Sequence, residues 1–249
     1  MDHSISLDDG LTENKLHEMK PLSQRRLFLK VTLWATVGLG FVQLIANKFL
    51  YSSIERYENG DFSAVESLQS NSFFVIGVAI FFSLAFILAA IAVPMWFYRA
   101  HDNLKILKKR LNFTSGWAAG WFFVPFANLV YPAKVMKEIH NGTKVAYETK
   151  NRKLSLMPIS SMVVLWWAAY IIAGIFSQIS SKMVDEQKIG ASGNNYSLAL
   201  ILLFVSLFLT LISAVALNKL VNEITEKQEE LRKGEKEFIP ISERELTSK

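Results

Sequence analysis

Residues 73–98 read FFVIGVAIFFSLAFILAAIAVPMWFY, an uncharged and almost entirely apolar run. At 1.5 Å per residue, about 20 such residues are enough for an α-helix to cross the hydrocarbon core of a bilayer. Three further apolar runs lie near 27–50, 156–178 and 197–217. Because no water is available inside a bilayer, each run must satisfy its backbone as a helix. The sequence therefore predicts an all-α integral membrane protein with four transmembrane helices.

The composition agrees with this class and limits the available chemistry. The chain is 51% hydrophobic, with 18 Phe and 6 Trp, and it has no cysteine. The lack of cysteine excludes disulfides, thiolate metal sites and cysteine nucleophiles. No apolar stretch followed by a small-residue cleavage site precedes residue 27, so we expect the first run to act as signal and anchor. We expect a membrane domain at 27–217 between a polar tail at 1–26 and a helix and tail at 218–249.

The basic residues are distributed asymmetrically along the chain. Of the 27 Lys and Arg residues, five precede or open the first run, eleven lie between the second and third, and seven follow the fourth. Cytoplasmic loops of membrane proteins are enriched in these residues. We therefore predict that both termini and the middle loop are cytoplasmic, and that the short connections containing Glu58 and Asp185 lie outside.

Small and polar residues recur at helical spacing within the first and fourth runs. They are Thr32, Thr36, Gly40, Gln43 and Asn47 in the first, and Ser206, Thr210 and Ser213 in the fourth. We expect these faces to contact other helices. A polar cavity between them would instead indicate a transporter or a protein that binds lipids or small molecules. No charged residue or His lies in the middle of a run, which weighs against proton-coupled carriers and intramembrane proteases.

A polar cluster follows the second apolar run. We expect Trp96 to lie at headgroup level and Arg99 to snorkel toward it. The residues expected to face anionic lipid are Lys105, Lys108, Lys109 and Arg110. His101, Asp102 and Asn103 could hydrogen-bond the exposed backbone ends of the next segment, bind a ligand or metal, or take part in catalysis. The sequence matches no zinc or catalytic-triad spacing, so we assign no catalytic residue, metal or cofactor.

Residues 116–132 read GWAAGWFFVPFANLVYP, an aromatic segment too short to cross a bilayer. Thr114 or Ser115 can cap a short helix here, and Trp117 and Trp121 share one face of it. We expect Gly116 and Gly120 to allow close approach to another helix.

Pro125 should break this helix, which predicts an elbow that either re-enters the membrane or lies in its interface. We expect Asn128 to satisfy backbone groups freed at that break, or to contact Arg99, His101 or Asn103. Pro132 suits the first turn of a following helix that should end near His140, before Asn141 and Gly142.

The motifs around this elbow resemble a known family. They read Trp96-x-x-Arg99-Ala100-x-x-Asn103-Leu104, then Ser115-Gly116-Trp117-Ala118-x-Gly120-Trp121-Phe122-x-Val124-Pro125-x-Ala127-Asn128-Leu129, then Pro132 and Met136-Lys137-Glu138-Ile139. This order is similar to the bacterial membrane-protein domain known as domain-of-unknown-function family 4328. Trp166-Trp167 and Ile224-Thr225-x-x-Gln228-Glu229 extend the resemblance to roughly residues 30–230. It implies a multi-pass protein of the bacterial cytoplasmic membrane and carries over no activity.

Three functional hypotheses follow. The first is a non-enzymatic membrane scaffold or partner-binding module that uses the elbow or the helix at 218–233, with membrane lipids and a protein as partners and no nucleic acid. The second is a lipid- or small-molecule-binding protein or transporter. The third is a membrane enzyme that uses His101, Asp102, Glu138 and His140. The residues we expect to matter most are Trp96, Arg99, His101, Asp102, Asn103, Gly116, Trp117, Gly120, Trp121, Pro125, Asn128 and Pro132.

Overall fold

The structure, a computed structural model, describes residues 16–107, 110–151, 161–185 and 195–233. Its helices are α1 (Ser23–Glu58), α2 (Ala64–Leu107), α3 (Ser115–Gly120), α4 (Tyr131–Asn151), α5 (Ser161–Asp185) and α6 (Asn195–Lys233). No strand occurs within these ranges. Helices α1, α2, α5 and α6 are long and apolar enough to cross a membrane. The predicted all-α membrane fold is therefore confirmed.

The membrane helices extend well beyond the apolar runs from which they were predicted. α1 and α2 are joined by a short turn at 59–63, in which Gly60 adopts a φ of 89°. Asp61 closes this turn by accepting hydrogen bonds from Ser63 and Arg56, and those bonds hold the pKa of its carboxyl below the usual value.

Some predicted features lie outside the described residues: the tails at 1–15 and 234–249, Lys108 and Lys109, and the start of the third run at 156–160.

The four long helices pack as two antiparallel hairpins, α1 with α2 and α5 with α6, which meet where α1 contacts α6. The Ser206 hydroxyl of α6 donates a hydrogen bond to the Ala173 carbonyl of α5 at 2.9 Å. In the same interface, the Ser213 hydroxyl of α6 donates a hydrogen bond to the Trp166 carbonyl of α5, also at 2.9 Å. A Cβ on Gly40 of α1 would lie 3.0 Å from the Leu207 side chain. Ser206, Ser213 and Gly40 thus face another helix as expected, whereas the hydrogen bonds of Thr32, Thr36, Gln43, Asn47 and Thr210 stay within their own helices.

The outer surface of the bundle is apolar along its length. Large hydrophobic side chains are exposed on the second helix, among them Phe73, Phe74, Ile80, Phe81 and Leu84. Lipid tails can solvate such side chains, so their exposure fits a helix that crosses a bilayer.

Candidate functional site

One end of the bundle concentrates the polar chemistry of the chain. This polar end is formed by the segments 16–26, 99–107, 110–151 and 218–233. Trp96, just before it on α2, is fully buried, and its indole nitrogen donates to the Thr225 hydroxyl of α6 at 3.1 Å. Trp96 is therefore enclosed by protein and does not contact lipid as an interfacial anchor would. Its indole N–H finds its partner inside the protein, whereas Tyr98 is exposed.

A buried amide pair joins four segments of the polar end. Gln228 of α6 donates to the Ala100 carbonyl at 3.1 Å and to the Thr143 hydroxyl at 3.0 Å. Its amide oxygen accepts from Asn103 at 3.1 Å. Asn103 also exchanges two hydrogen bonds of 2.9 Å with the backbone of Lys20. Because both amides are about 98% buried or more, their partners fix the relative position of α2, α4, α6 and the segment before α1.

A carboxylate from α6 caps the first helix. Glu229 accepts hydrogen bonds from the backbone N–H of Leu22 at 2.7 Å and of Ser23 at 3.3 Å, and Arg232 contacts its other oxygen at 2.7 Å. Burial raises the pKa of Glu229, but these hydrogen bonds outweigh it and the net pKa is lowered. A negative charge also complements the positive end of the α1 dipole. This part of the acidic face of 218–233 therefore serves internal contacts.

His101 and Glu138 form the second buried group of the polar end. His101 is fully buried, and its Nε2 lies 3.3 Å from Glu138 Oε2 while its Nδ1 lies 3.3 Å from the Ser115 hydroxyl. The other carboxylate oxygen of Glu138 accepts from the backbone and the side chain of Asn112, at 2.7 and 3.0 Å. We call these four residues the His101 cluster. It ties α2 to α3 and α4.

Asp102 lies beside the His101 cluster and balances nearby cations. Its carboxylate is 3.2 Å from Lys20 and 3.2 Å from Lys105. The Ser115 hydroxyl donates to it over 3.4 Å. Burial alone would raise the pKa of Asp102, but the hydrogen bonds from the two lysines lower it overall. The Nε of Arg99, three positions earlier on α2, is buried and has no hydrogen-bond partner among the described residues.

The structure brings together three of the four residues of the enzymatic hypothesis. His101, Asp102 and Glu138 are in contact directly or through Ser115. His140 is separate, with its Nδ1 3.1 Å from the Asn141 side chain. The order hydroxyl, imidazole, carboxylate is the order of a hydrolytic triad. Here, however, both the hydroxyl and the imidazole are at least 98% buried, so the described geometry gives a substrate no access to them.

The elbow joins α3 to α4 through two short 3₁₀ turns, Trp121–Phe123 and Ala127–Leu129. The Thr114 hydroxyl accepts from the Trp117 backbone at 3.3 Å, which confirms it as the cap of α3. Phe122 holds the elbow to the bundle, with its ring centroid 4.9 Å from Phe97 and 6.1 Å from Trp167. The Trp167 indole also donates to the Leu129 carbonyl at 2.7 Å. The aromatic core formed by Phe97 and Trp167 thus holds the elbow against the bundle.

Three rings stack along the elbow. Trp117 and Trp121 have centroids 4.5 Å apart, which confirms their shared face, and Trp121 stacks on Tyr131 at 4.3 Å. The Lys134 ammonium lies 5.3 Å from the centre of the Tyr131 ring. The stack therefore runs from α3 to the first turns of α4.

The tip of the elbow is strained and exposed. Phe126 has a φ of 60°, and the Ala127 N–H donates to the Pro125 carbonyl at 2.7 Å. This is a γ-turn of the rare positive-φ form, in which a side chain is unfavourable. Phe126 is nevertheless 86% exposed. The other large apolar residues exposed along the elbow are Trp117, Phe123, Leu129 and Val130.

Several expectations for the elbow are wrong. A Cβ on Gly116 would meet nothing within 4 Å, and one on Gly120 would meet only the Trp117 ring, so neither glycine lies against another helix. The Asn128 side chain makes no hydrogen bond within the described part of the chain; its backbone N–H bonds to the Val124 carbonyl instead. Backbone groups at the Pro125 break are thus hydrogen-bonded to one another, a role that was expected of the Asn128 side chain.

The helix after the elbow is also longer than expected. It continues through Asn141 and Gly142 to Asn151. A Cβ on Gly142 would lie 2.5 Å from the Leu104 side chain of α2. Gly142 therefore marks a close helix contact, and the helix continues because packing outweighs the low helix propensity of glycine.

Sequence reasoning left several residues that hold this end together out of the candidate set. They are Lys20, Asn112, Ser115, Thr143, Thr225, Gln228 and Glu229. The available signal was the segment Ile224-Thr225-x-x-Gln228-Glu229, whose polar residues belong to the family motif although they lie on an otherwise amphipathic helix.

Comparison with known proteins gives one match. The family model described as "Domain of unknown function (DUF4328)" matches residues 62–226. This range includes α2, the elbow, α4, α5 and most of α6. Searches of curated proteins and of solved structures give no match.

Proposed function

The chain belongs to the family described as "Domain of unknown function (DUF4328)", and we propose that it is a non-enzymatic scaffold of the bacterial inner membrane. In this proposal the elbow is the binding surface, and its contacts with Phe97, Trp167 and the rest of the polar end hold it in place. The partner is another membrane protein that meets the exposed apolar side chains of the elbow at the cytoplasmic interface.

One observation carries this proposal: the elbow is rigidly anchored, yet its largest side chains face outward. Phe122 and the Leu129 carbonyl fix it to the aromatic core. Phe126 lies in a strained turn although it is 86% exposed, so packing inside the protein does not explain its conformation. Strain that persists on a well-supported segment is typical of binding sites. A surface anchor that only followed the lipid would have no need of this conformation.

The other surface considered, the helix at 218–233, supports the proposal less well. Its Glu229 caps α1, and its Lys227 lies 4.1 Å from the centre of the Tyr147 ring. Gln228 is buried in the amide pair. The side chains available to a partner there are therefore fewer than the sequence pattern suggested, so we assign binding to the elbow.

The proposed orientation has both termini and the polar end in the cytoplasm, because the basic residues concentrate there. Single cysteines can test it, since the chain has none. We expect an impermeant thiol reagent added to intact cells to label a cysteine at Glu58 and to leave one at Lys105 unlabelled. Labelling at Lys105 alone would reverse the orientation and place the elbow outside.

Site-specific photo-crosslinking in native membranes tests the binding surface. A photoreactive residue replaces Phe123 or Phe126 in the elbow, or Phe81 on the lipid-facing side of α2, which is 64% exposed. We expect a protein adduct of one discrete mass from the two elbow positions and only lipid adducts from Phe81.

The matched control removes the contacts that hold the elbow to the bundle and leaves the exposed side chains of the elbow unchanged. Phe122→Ala detaches the elbow from Phe97 and Trp167, and it should greatly reduce the adduct formed at position 126. Lipid adducts alone at all three positions, or the same protein adduct from position 81, would contradict the proposal.

A further inference from the structure

An open cleft lies beside the elbow at the polar end. Its volume is about 390 Å³. The lining residues come from the segment before α3 and from one face of α4: Asn112, Phe113, Lys134, Lys137, Glu138, Asn141 and Gly142. Within the described part of the chain neither lysine of the cleft has an ion-pair partner, so both ammonium groups are available to a ligand.

We infer the depth of the cleft in the bilayer from the end of the apolar run of α2. Its floor is fixed to α2, because Glu138 contacts His101 and Gly142 packs on Leu104. These two α2 residues lie three and six positions beyond Tyr98, where the apolar run ends. At the rise of an α-helix this is roughly 5 to 9 Å past the hydrocarbon boundary, which is the depth of the headgroup layer.

The charges of the cleft favour an anion. Two lysines line it against one carboxylate. That carboxylate, of Glu138, has its oxygens turned toward protein donors, with Asn112 on one oxygen and His101 3.3 Å from the other. Its charge is thus directed away from the opening, whereas Lys134 and Lys137 are exposed.

The aromatic stack leads into the same place. Phe113 meets Tyr131 edge-to-face with centroids 6.1 Å apart, and Lys134 lies over the Tyr131 ring. Aromatic rings at this depth suit the glycerol and upper acyl region of a lipid. A free inorganic anion has no apolar part that these rings could contact.

We propose that this cleft binds the phosphate of a membrane phospholipid, with Lys134 and Lys137 as its cationic ligands and the Asn141 amide as a further donor. Lysine binds phosphate as a point charge through charge-assisted hydrogen bonds. This site is distinct from the protein-binding surface of the elbow, and either can fail without the other.

The test uses the full-length protein purified in a neutral detergent, with thermal stability followed as phosphatidylglycerol is added. Two further additions separate the possible sources of the effect: inorganic phosphate at matched ionic strength, and a diacylglycerol with the same acyl chains. We expect saturable stabilisation by the phospholipid alone. The double variant Lys134→Gln/Lys137→Gln should weaken its apparent affinity about tenfold or more.

A second double variant, Lys105→Gln/Arg110→Gln, is the matched control because it removes two cations of the same end that do not line the cleft. It should bind the phospholipid as the unchanged protein does. An equal loss in both double variants would overturn the proposal in favour of general surface attraction. Equal stabilisation by diacylglycerol, or by inorganic phosphate, would overturn the assignment to a lipid phosphate.

Discussion

Replacing His101 by leucine is expected to lower the free energy of unfolding by about 3 kcal/mol, because it removes a buried hydrogen-bond partner of the Glu138 carboxylate. His101 is fully buried and lies 3.3 Å from Glu138, which is itself 7% exposed. The measurement is reversible unfolding in detergent, or the midpoint of thermal unfolding where refolding fails.

The companion variant shows whether the loss comes from the contact between His101 and the Glu138 carboxylate. Glu138→Gln keeps the shape and can still accept from Asn112, but it removes the charge. We expect His101→Leu/Glu138→Gln to recover at least half of the stability that His101→Leu loses. If the double variant were as unstable as the sum of the two single variants, the two side chains would be energetically independent and the His101 cluster would not join α2 to α4.

The transmembrane helices could be predicted because their signal is local. An apolar run such as 73–98 has one solution in a bilayer, so length and composition decide it without knowledge of its neighbours. The same reasoning failed for Trp96, whose local sequence is equally typical of an interfacial anchor and of a buried residue. Only its contact with Thr225, 129 positions away, decides between them.

The polar end could not be predicted because its contacts are non-local. Glu138 and His101 are 37 positions apart, and the elbow between them sets which α4 face turns toward α2. The sequence does contain both residues, yet nothing in their spacing pairs them.

The contacts of glycines could not be predicted from the local sequence either. Gly120 matched a helix-packing motif and packs on nothing beyond its own helix, whereas Gly142 was expected to end a helix and makes the closest contact.

Enlarging Gly142 to leucine is expected to lower the free energy of unfolding by about 3 kcal/mol, at the upper end of what overpacking costs. A Cβ at this position would already lie 2.5 Å from a methyl carbon of Leu104 and 3.3 Å from its Cγ, and Leu104 is fully buried. We expect α4 to move away from α2 to admit the larger side chain. Because Glu138 lies one turn earlier on the same helix, that movement also stretches its contact with His101.

Gly174→Leu is the matched control, since Gly174 lies inside α5 and a Cβ there would meet nothing within 4 Å. Both substitutions gain the same helix propensity, about 1 kcal/mol, so the difference between the two variants isolates the packing at α2 and α4. We expect Gly174→Leu to be neutral or slightly stabilising in thermal unfolding. Equal stability of the two variants would mean that α4 lies loosely on α2, and the elbow would then lack the rigid support on which its proposed role depends.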